Sequence, residues 1–105
     1  MHTKFDDLGR FADPSLLILA SLAGGPKHGY AIMADVAEFG DVAMEPGTLY
    51  GALSRLERRG WVEPLPEVER RRPYRITAAG LTVLREQLRS MGRVLQVGLR
   101  RVESN

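Results

Sequence analysis

The chain has 105 residues, a length that suits one domain with a modest core and leaves little room for a deep active site. It contains no cysteine, which excludes disulfides and thiolate metal sites, and no apolar run approaches the roughly 20 residues that span a bilayer. The net charge of +2 is unevenly distributed, because residues 1–45 carry a net charge of −4 and residues 46–105 a net charge of +6. Every basic residue in the second part is an arginine. We expect a soluble, cytoplasmic protein without a membrane partner. Its basic part suits nucleic acid, although solvated helix faces are often basic too.

The N-terminal segment, residues 1–12, mixes polar and apolar side chains without strong periodicity. Phe5, Leu8 and Phe11 lie at spacings of three, which is compatible with a short leading helix. A loose arm fits the same pattern equally well, so both interpretations stay open.

The next element is predicted to be a helix over residues 14–23. Asp13 can cap its N-terminus, and Pro14 suits the first helical position. The helix is apolar nearly all round, and such a helix is expected to be buried on every side. In so small a protein we expect one face to meet the core and the other to meet a second copy of the chain, through Leu16 and Leu19.

A second helix is predicted from His28 to Phe39, with Gly40 as its stop. The short connection that follows, residues 40–44, suits a helix-turn-helix in which this is the positioning helix. His28 at the helix start is expected to cap it or to form a buried hydrogen bond. A zinc site is not expected, because His2 and His28 have no acidic partner at ligand spacing.

The most informative stretch covers residues 45–60 and predicts a short amphipathic helix from about Gly47 to Arg59. Proline at the first helical position, leucines on one face and Gly60 beyond the end support this helix. The opposite face is small, polar and basic, and it consists of Thr48, Gly51, Ser54, Arg55 and Arg58. Such a face suits the major groove of DNA. The helix alone fits a solvated surface helix equally well.

The two segments after this helix, residues 61–65 and 73–77, are aromatic and β-branched and are predicted to be strands. Between them Arg70, Arg71 and Arg72 form a basic tip. A helix followed by such a hairpin is the outline of a winged helix-turn-helix, in which the helix reads base edges and the wing holds phosphates. Prolines within the hairpin should keep it short.

Roles within this interface follow from side-chain chemistry. Arg55 is the best candidate for a base contact, since arginine pairs with guanine in the major groove. Arg58 and the wing arginines are expected to hold the DNA backbone. Tyr50 flanks the leucine face, where its hydroxyl could reach a phosphate while its ring packs on the domain. It could equally be a simple aromatic residue at the edge of the core.

The last helix is predicted from Ala78 towards Val102, with Thr77 as its cap. Its apolar residues repeat every seven positions: Leu81, Leu84, Leu88, Met91 and Leu95, followed by Gly98 and Val102. This pattern favours a seam for a partner helix, although a helix that folds back onto its own domain is the alternative. We therefore divide the chain into a winged helix-turn-helix over residues 1–77 and a dimerisation helix over residues 78–105.

Enzymatic chemistry has little support in the sequence. No nucleophile elbow and no phosphate-cradling glycine loop is present, and a trio such as Ser15, His28 and Asp35 could be drawn from any chain of this size. We expect neither catalysis nor a bound cofactor or metal.

Several motifs together resemble the PadR family of bacterial transcriptional regulators. They are the apolar run at Leu16 to Leu19, the turn Gly25-Pro26-Lys27-His28-Gly29-Tyr30, the helix start Pro46-Gly47-Thr48-Leu49-Tyr50 with Leu53, Leu56 and Gly60, and Tyr74-Arg75-Ile76-Thr77 with Gly80. The resemblance covers residues 14–90 and implies an N-terminal winged helix, a C-terminal helix that dimerises, and repression relieved by a small molecule or another signal. The chain is similar to the short form, which has a single C-terminal helix.

Two departures from the family pattern stand out. Family members often have serine before the proline at the start of the recognition helix, whereas this chain has Glu45. Some short members hold flat aromatic drugs between aromatic residues of the C-terminal helices, whereas here no aromatic residue follows Tyr74. The resemblance therefore does not identify an effector.

The sequence as a whole predicts an α+β, mainly α protein, a winged helix-turn-helix with a C-terminal dimerisation helix. We expect a homodimeric repressor that binds a pseudo-palindromic operator in double-stranded DNA and is released by an unidentified small molecule or by another signal. The alternative is a winged-helix module that binds proteins and has lost DNA binding.

Overall fold

The computed structural model describes residues 13–105, so the arm or short helix considered for residues 1–12 lies outside the described residues. Within residues 13–105 the chain forms four helices and three short strands. Their order is α1 (Pro14–Ala23), β1 (Lys27–His28), α2 (Gly29–Gly40), α3 (Pro46–Arg58), β2 (Val62–Pro64), β3 (Pro73–Ile76) and α4 (Ala78–Glu103). The predicted α+β, mainly helical class is confirmed. None of the described helices is long and apolar enough to cross a membrane.

Helix α1 is the centre of the core. It begins as predicted, because the Asp13 carboxylate accepts a hydrogen bond from the backbone N–H of Leu16 at 3.0 Å. The helix contacts α2, α3, α4 and β3, and Leu17, Ile18, Leu19 and Leu22 are buried, whereas Leu16 is half-buried. Burial within one chain thus explains most of its apolar composition without a second copy. Leu19, which is 3% exposed, belongs to this core, so its sequence-based assignment to a dimer contact is corrected.

Polar groups at the end of α1 are satisfied by side chains from the following elements. Ser21, buried among apolar residues, donates from its hydroxyl to the Asp35 carboxylate of α2 at 2.7 Å. The ammonium group of Lys27 donates to the carbonyl oxygens of Ser21 at 2.5 Å and Gly25 at 3.2 Å. The Lys27 and Asp35 side chains thus tie the end of α1 to β1 and α2.

The helix-turn-helix consists of α2 and α3, each within a residue or two of its predicted bounds. Asp41 ends α2 in the left-handed conformation, with φ of 52°, one residue beyond the predicted glycine stop. A short connection then leads to Glu45, which precedes α3. The leucine face of α3 packs into the core and contains the buried residues Leu49, Ala52, Leu53 and Leu56.

The wing, defined here as residues 62–76, is a hairpin of β2 and β3 joined by the basic loop. The two strands pair antiparallel, with Val62 opposite Ile76 and Pro64 opposite Tyr74. The two-residue strand β1, which the sequence did not predict, pairs with the other edge of β3 and places Lys27 opposite Tyr74. The sheet order β1-β3-β2 thus joins the start of α2 to the wing.

Helix α4 is anchored at its N-terminus and extends away from the domain. The Thr77 hydroxyl accepts from the Gly80 N–H at 3.1 Å and donates to the Gly60 carbonyl at 2.6 Å, confirming the predicted cap. Gly80 packs directly against the Trp61 carbonyl, where a Cβ atom would overlap that oxygen. The helix has 26 residues and is roughly 39 Å long. Its buried residues lie in the first two turns, so most of it is available to a partner.

Candidate nucleic-acid interface

The solvent side of α3, the recognition helix, has the composition that the sequence predicted. Thr48, Ser54, Arg55 and Arg58 are exposed, and Gly51 is half-buried between them. All lie opposite the leucine face that packs into the core. The helix therefore presents a continuous face of small, polar and basic side chains to solvent.

The two arginines on this face are arranged by contacts within the helix. Arg58 donates from Nη1 to the Ser54 hydroxyl at 3.0 Å, one helical turn away. Arg55 Nη1 lies 3.7 Å from the point where a Cβ atom on Gly51 would stand, so the guanidinium covers the glycine. Both guanidinium groups consequently lie along the exposed face and retain free donors for an acceptor beyond the helix.

Tyr50 joins the recognition helix to the start of α2. Its hydroxyl and ring pack against Gly29, where a Cβ atom would collide with the Tyr50 ring and lie 3.0 Å from Leu49 Cδ2. Only glycine at position 29 permits this contact, while Tyr50 remains 51% exposed. The ring thus packs on the domain, as one interpretation of the sequence required. The role of its hydroxyl with a phosphate stays a prediction.

The tip of the wing is a tight turn centred on two residues with positive φ. The N–H and carbonyl groups of Val68 and Arg71 bond reciprocally at 2.8 Å, and Glu69 and Arg70 have φ of 50° and 67°. Positive φ at both central positions defines a type I′ turn, which normally uses Asn-Gly. The sequence carries no such signal, so this turn was missed. It places Arg70 at the extreme tip of the hairpin.

The three wing arginines, all exposed, are not equivalent. Arg71 Nη1 lies 3.2 Å from Nε2 of His28. Arg72 donates from Nη1 to the Leu65 carbonyl at 2.8 Å and lies 3.8 Å from the Glu67 carboxylate. The Arg72 guanidinium therefore binds groups within the wing itself, whereas the guanidinium groups of Arg70 and Arg71 can turn more readily to an acceptor outside the protein.

His28 caps α2, as the sequence predicted, and also contacts the wing. Its Nδ1 accepts from the Ala31 N–H at 3.4 Å, while the Arg71 guanidinium faces Nε2. A neutral imidazole has only one acceptor nitrogen, so these two contacts compete. Among residues 13–105, no group of three histidine or acidic side chains is placed to hold a metal.

Other charged side chains of the wing are neutralised by neighbours that the sequence did not single out. Arg75 donates from Nε to the Glu63 carboxylate across the β2–β3 pair at 2.9 Å. Burial raises the pKa of the Tyr74 phenol above its usual value, with a smaller contribution from the Glu57 carboxylate. Arg75 is thus a poor candidate for DNA contact, and the base of the wing is less basic than its tip.

The apolar seam of α4 is largely exposed in the single chain. Leu84, at 4% exposed, belongs to the domain core, so its sequence-based assignment to a dimer contact is corrected. Leu81, Leu88 and Leu95 are 38%, 46% and 60% exposed, and Met91 is half-buried. The seam predicted from the heptad pattern also has exposed apolar neighbours that the prediction did not include, namely Val94 and Leu99.

Comparison with known proteins connects this geometry to a family. The model of the Transcriptional regulator PadR-like family matches residues 18–86, which include α2, the recognition helix, the wing and the start of α4. The chain belongs to the PadR-like family of transcriptional regulators. Members of this family are transcriptional regulators and not enzymes, which agrees with the lack of catalytic motifs.

Solved PadR structures share the architecture of this PadR-like chain. A PadR family transcription regulator from Clostridium difficile R20291 is 25% identical with a TM-score of 0.73, covering 80% of this chain and 92% of that one. A PadR family transcriptional regulator from Eggerthella lenta is 33% identical with a TM-score of 0.67, covering 84% and 79%. These matches confirm the predicted winged helix fold with its C-terminal helix.

A curated relative is closer in sequence but much longer. An uncharacterised 37.1 kDa protein in transposon Tn4556 of Streptomyces fradiae is 45% identical over 85 residues. The match covers 81% of this PadR-like chain and 25% of that protein, so the chain spans about a quarter of the relative's length.

Proposed function

We propose that this PadR-like chain is a homodimeric repressor that binds a specific sequence in double-stranded DNA and is released by a small molecule or another signal. One observation carries the proposal: a chain of contacts joins the wing to the recognition helix. His28 pairs with Pro73 of the wing strand β3, the neighbouring Gly29 packs against Tyr50, and Tyr50 lies on α3. The wing and the recognition helix are therefore held around the start of α2 as one surface.

The side chains of this surface suggest a division of labour. Thr48, Gly51, Ser54 and Arg55 would face base edges in the major groove, with Arg55 directed to guanine. The remaining contacts would hold the DNA backbone through Tyr50, Arg58, Arg70, Arg71 and Arg72. Base contacts would give sequence preference, and backbone contacts would position the protein on the duplex.

The dimer would form through α4, whose exposed seam is otherwise open to solvent. Leu81, Leu88, Met91 and Leu95 would pack against a second copy, with Leu16 of α1 at the edge of the contact. A two-fold dimer implies a pseudo-palindromic operator with half-sites about 34–36 Å apart, one turn of the duplex.

Replacing Leu88 and Leu95 with aspartate tests the dimer, since two carboxylates at the seam should prevent its burial. The double variant should elute as a monomer with the light scattering expected for 11.7 kDa. Gln96→Asp, which adds a charge at an exposed position outside the heptad seam, is the control and should stay dimeric. A double variant that remains dimeric would remove α4 from the interface.

Binding itself is tested by fluorescence anisotropy with duplexes from the region upstream of the chain's own gene, at low and moderate salt. We expect nanomolar to micromolar affinity for one duplex and much weaker binding to the others. Repression is tested with a reporter placed behind the bound sequence, where expression of the chain should lower the signal.

The second candidate is a winged-helix module that binds a protein and not DNA. The observation that favours it is the exposed Glu45 at the start of the recognition helix, where a carboxylate would repel phosphate. Such a module should show little affinity for any duplex, even at low salt.

A further inference from the structure

Glu45 occupies the N-cap position of the recognition helix. Its carbonyl accepts the first helical hydrogen bond, from the Leu49 N–H at 3.0 Å. Its side chain does not act as the cap, since within residues 13–105 no hydrogen bond joins the carboxylate to the first turn of α3. The residue is exposed. The carboxylate is therefore accessible at the leading end of the helix that would enter the groove.

The first turn of α3, which follows Glu45, is open and uncharged. Pro46, Gly47 and Thr48, which form the first turn of α3, are all exposed. Apart from the backbone of α3 itself and the residues on either side, a Cβ atom on Gly47 would meet no atom of residues 13–105 within 4 Å, so a base edge could approach this turn closely. The positive end of the helix dipole favours a negative charge at this position. The local structure thus tolerates a carboxylate that an incoming duplex would have to accommodate.

The cations of the helix are too distant to neutralise Glu45. Arg55 is ten residues away along the chain, which is about 15 Å along the helix axis. Arg58 is more distant still and is bonded to Ser54. Within the part of the chain that the structure describes, the acidic partners in ion pairs are Glu63 and Glu67.

A carboxylate in this position discriminates among bases. Residues at the N-terminal end of a recognition helix contact base edges. In the major groove the cytosine N4 amino group is a donor that suits a carboxylate, whereas guanine offers only acceptors and the adenine N6 donor stands beside an N7 acceptor. We propose that Glu45 is a specificity-determining residue that accepts a hydrogen bond from a cytosine N4 amino group in each half-site. The inference depends on the proposed DNA binding.

Selection of bound duplexes from a randomised library tests the inference. Four proteins are compared: the wild type, Glu45→Gln, Glu45→Ser and a charge-matched control, Glu38→Gln. Glu38 is an exposed residue of α2. The wild type should prefer cytosine at one position of each half-site by roughly tenfold. Glu45→Gln should shift the preference to adenine, which glutamine recognises through N6 and N7. Glu45→Ser should accept all four bases there, and Glu38→Gln should keep the wild-type preference.

Identical base preferences in all four proteins, with higher affinity of both Glu45 variants for every duplex, would overturn the inference and leave DNA binding intact. In that case Glu45 only repels phosphate. A wild-type protein that selects no duplex from the library would overturn DNA binding itself and this inference with it. Because Glu45 is exposed and does not cap α3, Glu45→Gln should unfold at about the wild-type temperature, and Glu45→Ser, which supplies a preferred cap, at the same temperature or a higher one. A change in base preference is thereby separated from a folding defect.

Discussion

Removing the positive charge of the wing tip is the most direct test of the proposed interface. In the triple variant, Arg70, Arg71 and Arg72 are each replaced by alanine. The change should weaken binding to every duplex by a similar factor, because phosphate contacts carry no sequence information. It should also make binding less dependent on salt, since fewer counterions are released from the DNA.

The structure limits the size of this effect. Arg72 is partly committed to the Leu65 carbonyl at 2.8 Å, whereas Arg70 and Arg71 can turn to phosphate more freely. Two to three phosphate contacts per wing would flatten the slope of log K against log salt by about 1.8–2.7. For each wing that is engaged, raising salt from about 50 to 200 mM should then cost the wild type roughly 12- to 40-fold more affinity than the variant.

The assay is fluorescence anisotropy with a labelled operator duplex at several salt concentrations. A matched control replaces Arg93, Arg100 and Arg101, three exposed arginines in the second half of α4, with alanine. The control removes the same charge from a place distant along the chain from the wing, and screening over about 10 Å should leave its slope near that of the wild type. An unchanged slope in the wing variant would remove the wing from the mechanism. Equal flattening in both variants would indicate that only net charge matters.

Three further predictions concern the scaffold of the interface. Gly80→Ala should lower the free energy of unfolding by about 1–3 kcal/mol in urea melts, because the added methyl overlaps the Trp61 carbonyl. The control variant, Gly92→Ala, should raise the free energy of unfolding by up to about 1 kcal/mol. Glu69→Asn should stabilise the wing turn by about 0.5 kcal/mol, because asparagine tolerates positive φ; a destabilised variant would contradict the assigned turn. Since the pKa of Tyr74 is raised in the folded state, stability should fall as pH rises above about 10. The Tyr74→Phe variant should lose less stability above that pH than the wild type does. Equal losses in the two proteins would contradict the role of Tyr74.

Two local backbone features shape the proposed interface, namely the positive-φ turn at the wing tip and the glycine at position 29. Positive φ at Glu69 and Arg70 holds the tip in a tight turn, and Gly29 lets Tyr50 close onto α2. His28 lies between these features and pairs with Pro73 of the wing strand β3. In the proposed function, the wing and the recognition helix would thereby be positioned before DNA binds, which would reduce the ordering cost of binding.

Much of the architecture was predictable because its causes are local. The caps at Asp13 and Thr77 and the apolar face of α3 depend on residues within about four positions of one another. Helix bounds were accordingly predicted to within a residue or two, and the exposed face of the recognition helix was identified correctly. The strand β1 was missed, because two residues carry no periodicity and this strand exists only through its pairing with β3.

Amino-acid order alone therefore determined the four helices, the two strands of the wing, the basic face of the recognition helix and the family, since helix caps, spacing and motifs are properties of neighbouring residues. Long-range packing determined which apolar residues are buried within the chain. It placed Leu19 and Leu84 in the core and left Leu88 and Leu95 exposed. It also brought Arg71 to His28, 43 residues away. Such contacts depend on how the helices and the sheet pack together, which no local pattern encodes.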